Sequence, residues 1–133
     1  MTEKRPKKFG FSKAEKLTGK KKIEELFRNG SSLFFKPFLL KALEVEGQPD
    51  FRILISVPKK RIRRAVDRNL IKRRIREVYR LNKHLLYEEP KSSYHVAIVY
   101  QSDEILSYDQ IEKNLINLLT RFKKRIDESD EKD

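Results

Sequence analysis

The chain has 133 residues, 39% of them charged and 38% hydrophobic, with 32 Lys or Arg against 20 Asp or Glu, a formal net charge of +12 and a pI near 9.9. That length holds one domain around one core, and the charge points to nucleic acid or an anionic surface as partner. The absence of Cys excludes disulfides and thiolate metal sites, no apolar run approaches a membrane span, and the basic Met1 to Lys8 stretch lacks the apolar run of a secretory signal, so a cytoplasmic protein is the default expectation.

Residues 1–15 read as a flexible basic arm broken by Pro6 and Gly10, with Phe9 and Phe11 set among Lys7, Lys8 and Lys13. Residues 16–126 read as a single α+β domain. The spacing of Ile23, Leu26 and Phe27 predicts a helix from Lys20 to Asn29, ended by Gly30. A short strand is expected at Leu33–Phe35 and a longer one at Phe38–Val45, with Pro37 marking an edge or a bend. Gly47-Gln48-Pro49-Asp50 is a turn. The strand Phe51–Val57 follows, and the two strands flanking that turn are expected to form an antiparallel hairpin.

A long amphipathic helix is predicted from Arg64 to Leu85, with Leu70, Ile71, Ile75, Val78 and Leu81 on its apolar face. Glu88 to Ser93 is a loop. Tyr94 to Tyr100 is apolar on both faces, which predicts a central strand. A last helix is expected from Asp109 to Ile126, with Ile111, Leu115, Leu118, Leu119 and Phe122 inward. The acidic residues 127–133 read as a disordered tail. The implied fold class is α+β: a small two-layer sandwich of order α-β-β-β-α-β-α, helices on one side of a mostly antiparallel four-stranded sheet, with a crossover around the basic helix. Such crossovers are right-handed as a rule.

Between Lys59 and Arg80 stand eleven Lys or Arg and two acids, Asp67 and Glu77, a local net charge of +9 (eleven minus two). Arg68, Lys72, Arg76 and Arg80 recur every fourth residue, with Asn69 and Arg73 beside them, and residues four apart stack on one helix face. The result is a rail of cations suited to spaced phosphates. A solvated helix face usually mixes signs at i,i+4, and here there is scarcely an acid to mix. No helix-turn-helix or dimer context for duplex DNA is legible, whereas aromatic strands beside a basic helix suit single-stranded or irregular RNA. Phe34, Phe35 and Phe38 are candidates for base stacking, and equally for the core.

Self-contained catalysis has little to work with. His84 and His95 are the only near-neutral bases, there is no Gly-rich phosphate loop, and Ser56-Val57-Pro58-Lys59 lacks the carboxylate that would join Asp50 in a metal nuclease. No catalytic residue and no metal ligand is assigned.

Ala65-Val66-Asp67-Arg68-Asn69-Leu70-Ile71-Lys72-Arg73-Arg74-Ile75-Arg76-Glu77 closely resembles the signature helix of the bacterial ribonuclease P protein subunit, A-V-x-R-N-R-x-K-R-x-x-R-E. The resemblance spans about Lys16 to Lys124 and takes in Lys16-Leu17, Phe27, Gly30 and Ser56-Val57-Pro58-Lys59-Lys60. It implies a protein cofactor of a catalytic RNA that removes the 5′ leader of precursor tRNA, with magnesium bound mainly by the RNA and none by the chain alone. It also implies a left-handed strand–helix–strand crossover, against the general rule. The partners implied are ribonuclease P RNA and precursor tRNA, in a one-to-one ribonucleoprotein with the protein monomeric, and neither membrane nor DNA.

By resemblance, RNA contacts fall to Arg68, Asn69, Lys72, Arg73 and Arg76, supported by Lys59, Lys60, Arg61 and Arg64. The leader cleft falls to Phe27, Ile23, Lys41 and Phe34. The chain departs from the pattern at Leu70, where the second Arg of the core is expected, in an approach segment one residue longer near Arg61 to Arg64, and at Ile23 and Lys41, where aromatics are usual. Two rival readings are a general or ribosome-associated RNA-binding protein and a self-sufficient metal nuclease.

Overall fold

The elements run α1 (Lys20–Asn29), β1 (Ser31–Phe35), β2 (Phe38–Val45), β3 (Asp50–Ser56), α2 (Ala65–Asn82), α3 (His84–Tyr87), β4 (Ser93–Tyr100) and α4 (Tyr108–Lys132). The structure is a computed structural model that describes residues 15–87 and 92–132, with side chains for 15–86 and 92–128. The basic arm up to residue 14 and most of the loop after Tyr87 lie outside the described residues. The α+β class and the element order are those the sequence implies.

Strand pairing differs at one point. The sheet order is β1-β2-β4-β3, with β1–β2 and β2–β4 antiparallel and β3–β4 parallel. The expected hairpin between Phe38–Val45 and the following strand does not form, because β4 is inserted between them. Val96 to Tyr100 are all buried, and a strand that is apolar on both faces belongs in the middle of a sheet. The turn after Val45 therefore carries the chain past β4, and the Asp50 amide bonds the Ser92 carbonyl at 3.3 Å.

Alternation along the strands makes two apolar faces. On one, Phe38, Leu40, Phe51, Ile53, Val96, Ile98 and Tyr100 pack against Ile71, Ile75, Val78 and Tyr79 of α2 and Ile111, Leu115, Leu118, Leu119 and Phe122 of α4. Each fully buried Leu or Ile there contributes about 2 kcal/mol. On the other, Leu17, Leu26, Ala97 and Val99 are buried, with Ile23, Leu39, Leu43 and Leu54 partly so. The helices therefore do not all lie on one side: α1 covers this second, smaller face. The buried stripe of α2 is also turned from the expected one. Tyr79 is fully buried, whereas Leu81 is 39% exposed.

Two helix ends differ from expectation. The long basic helix stops at Asn82, and α3 begins after Lys83, whose side chain is drawn inward. At the C-terminus, α4 runs to Lys132, through residues read as a disordered tail. Ile126 is still buried, and Lys123 pairs with Asp127 at 3.1 Å, an i,i+4 contact that favours helix beyond it.

The sheet margins carry short additions. The Leu17 amide bonds the Ile53 carbonyl at 2.9 Å, and Lys16 bridges Ile53 in parallel. Along β1, Arg125 Nη1 donates to the Ser32 carbonyl at 3.0 Å, and Arg121 lies 4.7 Å over the Phe35 ring.

Candidate nucleic-acid interface

The approach segment joins β3 to α2 through Val57 and Ile62, both buried, with Lys59 and Lys60 exposed between them. The Pro58 carbonyl accepts from the Arg61 and Ile62 amides at 3.0 and 3.1 Å and closes the turn. Arg68 then reaches back from α2, its Nη1 donating to the Ile62 carbonyl at 3.0 Å and the Arg63 carbonyl at 2.6 Å. One arginine of the expected rail thus fixes the approach segment to the helix.

Loop 101–106 acts as a shelf for the same region. The Tyr100 hydroxyl donates to the Glu104 carbonyl and accepts from the Leu106 amide at 3.2 Å, while burial holds the phenol above its ordinary range. Arg61 turns onto this loop, donating to Gln101 Oε1 at 3.0 Å and Asp103 Oδ1 at 3.4 Å. Arg74 donates to the Leu106 carbonyl at 2.5 Å. Neither contact was visible in the sequence, since a regular helical spacing does not say which arginines a distant loop will engage.

Lys59, Lys60, Arg63, Arg64, Asn69, Arg73 and Arg76 are exposed, and Lys72 is half-buried. Arg64 has a long 3.9 Å contact to Asp67. Lys72, Arg73 and Arg76 make no hydrogen bond or ion pair among the described residues. The rail ends there, because Arg80 pairs with Glu77 at 2.5 Å. The hydrogen bond from Arg80 holds the Glu77 carboxyl below the usual carboxylate range. No side chain caps the N-terminus of α2, a helix end that favours anions.

The other expected residues gather on the α1 face of the sheet. Lys41 Nζ donates to Ser32 Oγ at 3.1 Å and the Gly30 carbonyl at 3.4 Å. Ser32 pairs with Lys41 and Phe34 with Leu39 across β1–β2, so Phe34 and Lys41 share this face with Ile23 and Leu39. Phe34 is 59% exposed and Phe27, on α1, is 40% exposed. Phe38 is fully buried edge-on to Tyr100, with centroids 6.0 Å apart. Of the three sheet phenylalanines considered for stacking, Phe34 is the exposed one.

The same face carries a group that the sequence did not single out. Lys22, Arg52, Ser93 and His95 line a pocket with the 45–50 turn. Burial, then Lys22 and Arg52, push the His95 imidazole below its ordinary range, partly opposed by Glu25. Among the described residues no three His, Cys, Asp or Glu are placed to hold a metal, and no helix is long and apolar enough to cross a membrane.

The family model described as Ribonuclease P matches residues 11–123. The ribonuclease P protein component of Porphyromonas gingivalis ATCC 33277 is 37% identical over 122 residues, covering 88% of this chain and 89% of the relative. That of Streptococcus pyogenes serotype M49 is 36% identical over 107 residues, covering 80% and 85%. The Staphylococcus aureus RNase P protein superposes with a TM-score of 0.71 at 25% identity, covering 84% of this chain and 97% of that one. The Thermotoga maritima RNase P protein shares the fold, with a TM-score of 0.67 at 24% identity over 80% and 96%.

Proposed function

The chain belongs to the ribonuclease P protein family, and on that premise we propose that it binds the catalytic RNA and the 5′ leader of precursor tRNA and assists magnesium-dependent removal of the leader. The observation that carries this reading is the partner-free set Lys72, Arg73 and Arg76, the two arginines exposed, on the helix that the family pattern marks. Lys59, Lys60, Arg63, Arg64 and Asn69 extend it. Cations without internal partners are free to neutralise phosphates and release counterions, which drives association at modest salt. Arg68 serves the same surface by holding the backbone of the approach segment, and Arg61 by fastening that segment to loop 101–106.

On this reading the leader lies on the α1 face. Phe34 and Phe27 offer exposed rings to stack on bases. Lys41 gives up its 3.4 Å contact to Gly30 for a phosphate oxygen. Magnesium belongs to the RNA, and no step is routed through a metal on this chain. The protein is an accessory subunit without catalytic residues, monomeric in a one-to-one cytoplasmic ribonucleoprotein. It holds substrate and screens the repulsion between two polyanions.

The test is reconstitution with a bacterial ribonuclease P RNA and precursor tRNA at low magnesium. Stimulated 5′ cleavage is expected. No stimulation of an RNA that cleaves at high magnesium would overturn the reading in favour of general RNA binding.

A further inference from the structure

Arg52 and His95 are register partners on β3 and β4, so their Cα atoms stand about 4.8 Å apart, the strand spacing. Both side chains project to the α1 face, where Lys22 comes over them from the helix, and Ser93 joins them in lining one pocket. Neither Lys22 nor Arg52 has a hydrogen bond or ion pair among the described residues. Two unpaired cations, a hydroxyl and an imidazole thus converge at the end of the sheet where β4 begins. This lies away from the approach segment, which leaves the opposite end of β3.

We propose that this pocket is a second phosphate-binding site, taking one phosphodiester of an RNA strand, separate from the α2 surface and from Phe34 and Lys41. It rests on the RNA-binding reading for the source of the phosphate. The donors suit a tetrahedral oxyanion: a bidentate guanidinium, an ammonium and a hydroxyl. Glu46 and Asp50 also line the pocket. One Asp50 oxygen is already engaged by the Phe51 amide at 2.8 Å. Their charge works against an anion, so the site is one contact among several rather than a tight one.

Binding is coupled to protonation. The charged groups acting on His95 are Lys22 and Glu25 from α1 and Arg52 from β3, while its β2 neighbour is the apolar Leu43. In the free protein burial of the ring, and then the two cations, disfavour a positive charge on His95. A bound phosphate offsets the two cations and adds an anionic partner, so His95 takes up a proton more readily and becomes a further donor. Affinity therefore rises as pH falls towards the depressed pKa that His95 has in the free protein.

The experiment follows the His95 imidazole by NMR against pH in the full chain, in chloride, in inorganic phosphate and in hexauridylate at matched ionic strength. The expected result is a His95 pKa higher in hexauridylate than in chloride. Arg52→Gln and Lys22→Gln, on different elements and both exposed, each abolish the rise and lower the salt slope of oligonucleotide binding by about 0.7. An unchanged pKa in hexauridylate, a response to inorganic phosphate alone, or a rise that survives both substitutions would overturn the proposal. Hexauridylate needs no ribozyme, so this readout and the cleavage assay fail independently.

Discussion

Lys83 donates to both carboxylate oxygens of Glu15 at 2.8 Å, across 68 positions of sequence. The two side chains are only 4% and 14% exposed. The pair ties the first described residues to the junction of α2 and α3. From there Lys16 and Leu17 pass along β3, and α1 crosses the far face of the sheet. One ion pair therefore links the segment leading into α1 to the end of the helix that carries the cations.

Lys83→Ala removes the ammonium that pairs with a largely desolvated carboxylate, and is expected to cost about 3 kcal/mol in urea unfolding at neutral pH. The double change Glu15→Leu with Lys83→Met removes both charges and is expected to cost within about 1–2 kcal/mol. A single variant as stable as the double one would mean that water reaches the pair.

Tyr100→Phe removes the hydroxyl that joins Glu104 to Leu106. The expected loss is about 1–2 kcal/mol. Hydrogen exchange at the Leu106 amide should speed up as well, because Tyr100 Oη is its acceptor. An unchanged exchange rate would show that the shelf is held by other contacts.

Lys72→Gln, Arg73→Gln and Arg76→Gln should each reduce the slope of log affinity for RNA against log salt by about 0.7–0.9, with stability changed by no more than about 0.5 kcal/mol. Arg61→Gln should behave the other way. It removes the Arg61 bonds to Gln101 and Asp103, so it is expected to cost about 1 kcal/mol of stability with a smaller change in slope. Equal slopes for all four variants would contradict the division between phosphate-facing cations and the loop-holding Arg61.

Phe34→Ala should leave thermal unfolding nearly unchanged, since the ring is 59% exposed, and weaken leader binding by about 1–3 kcal/mol through lost stacking. Comparing precursor tRNA with mature tRNA isolates the leader. A variant that binds both as the wild type does would remove Phe34 from the cleft.

Protonation of His95 gives stability a pH dependence. Burial holds its folded pKa below the ordinary imidazole value of about 6.5, so on acidification the unfolded chain binds the proton first. The contribution is complete above about 6.5 and is lost as pH falls from there through the folded value. Urea midpoints of wild type and His95→Gln should therefore diverge between pH 8 and 5, with the wild type losing more. Parallel curves would show that the ring is not desolvated.

Local periodicity located the elements well. α1 and β2 have the expected bounds, and β4 is central as its two apolar faces require. What periodicity could not supply was pairing and partner choice. The 45–50 turn signals a reversal, yet a reversal does not oblige its two strands to pair. The choice fell to β4, whose five consecutive buried residues needed neighbours on both sides. The cationic surface was legible as charge on a helix face. Its division of labour was not, because Arg61 and Arg74 find their partners 32 to 42 positions away, and Arg68 is claimed by carbonyls of the segment before it. The Lys22, Arg52 and His95 group was hidden for the same reason, being assembled from three elements by strand register.

The Leu17 bond to Ile53 and the Arg125 bond to Ser32 have an effect beyond holding the ends of the chain. They occupy peptide groups on the two outer strands of a sheet rich in Val, Ile and Phe, the composition most prone to recruit a neighbour's strand. A copy waiting for its RNA presents interrupted borders to its siblings, which discourages stacking into fibrous aggregates while the protein is alone.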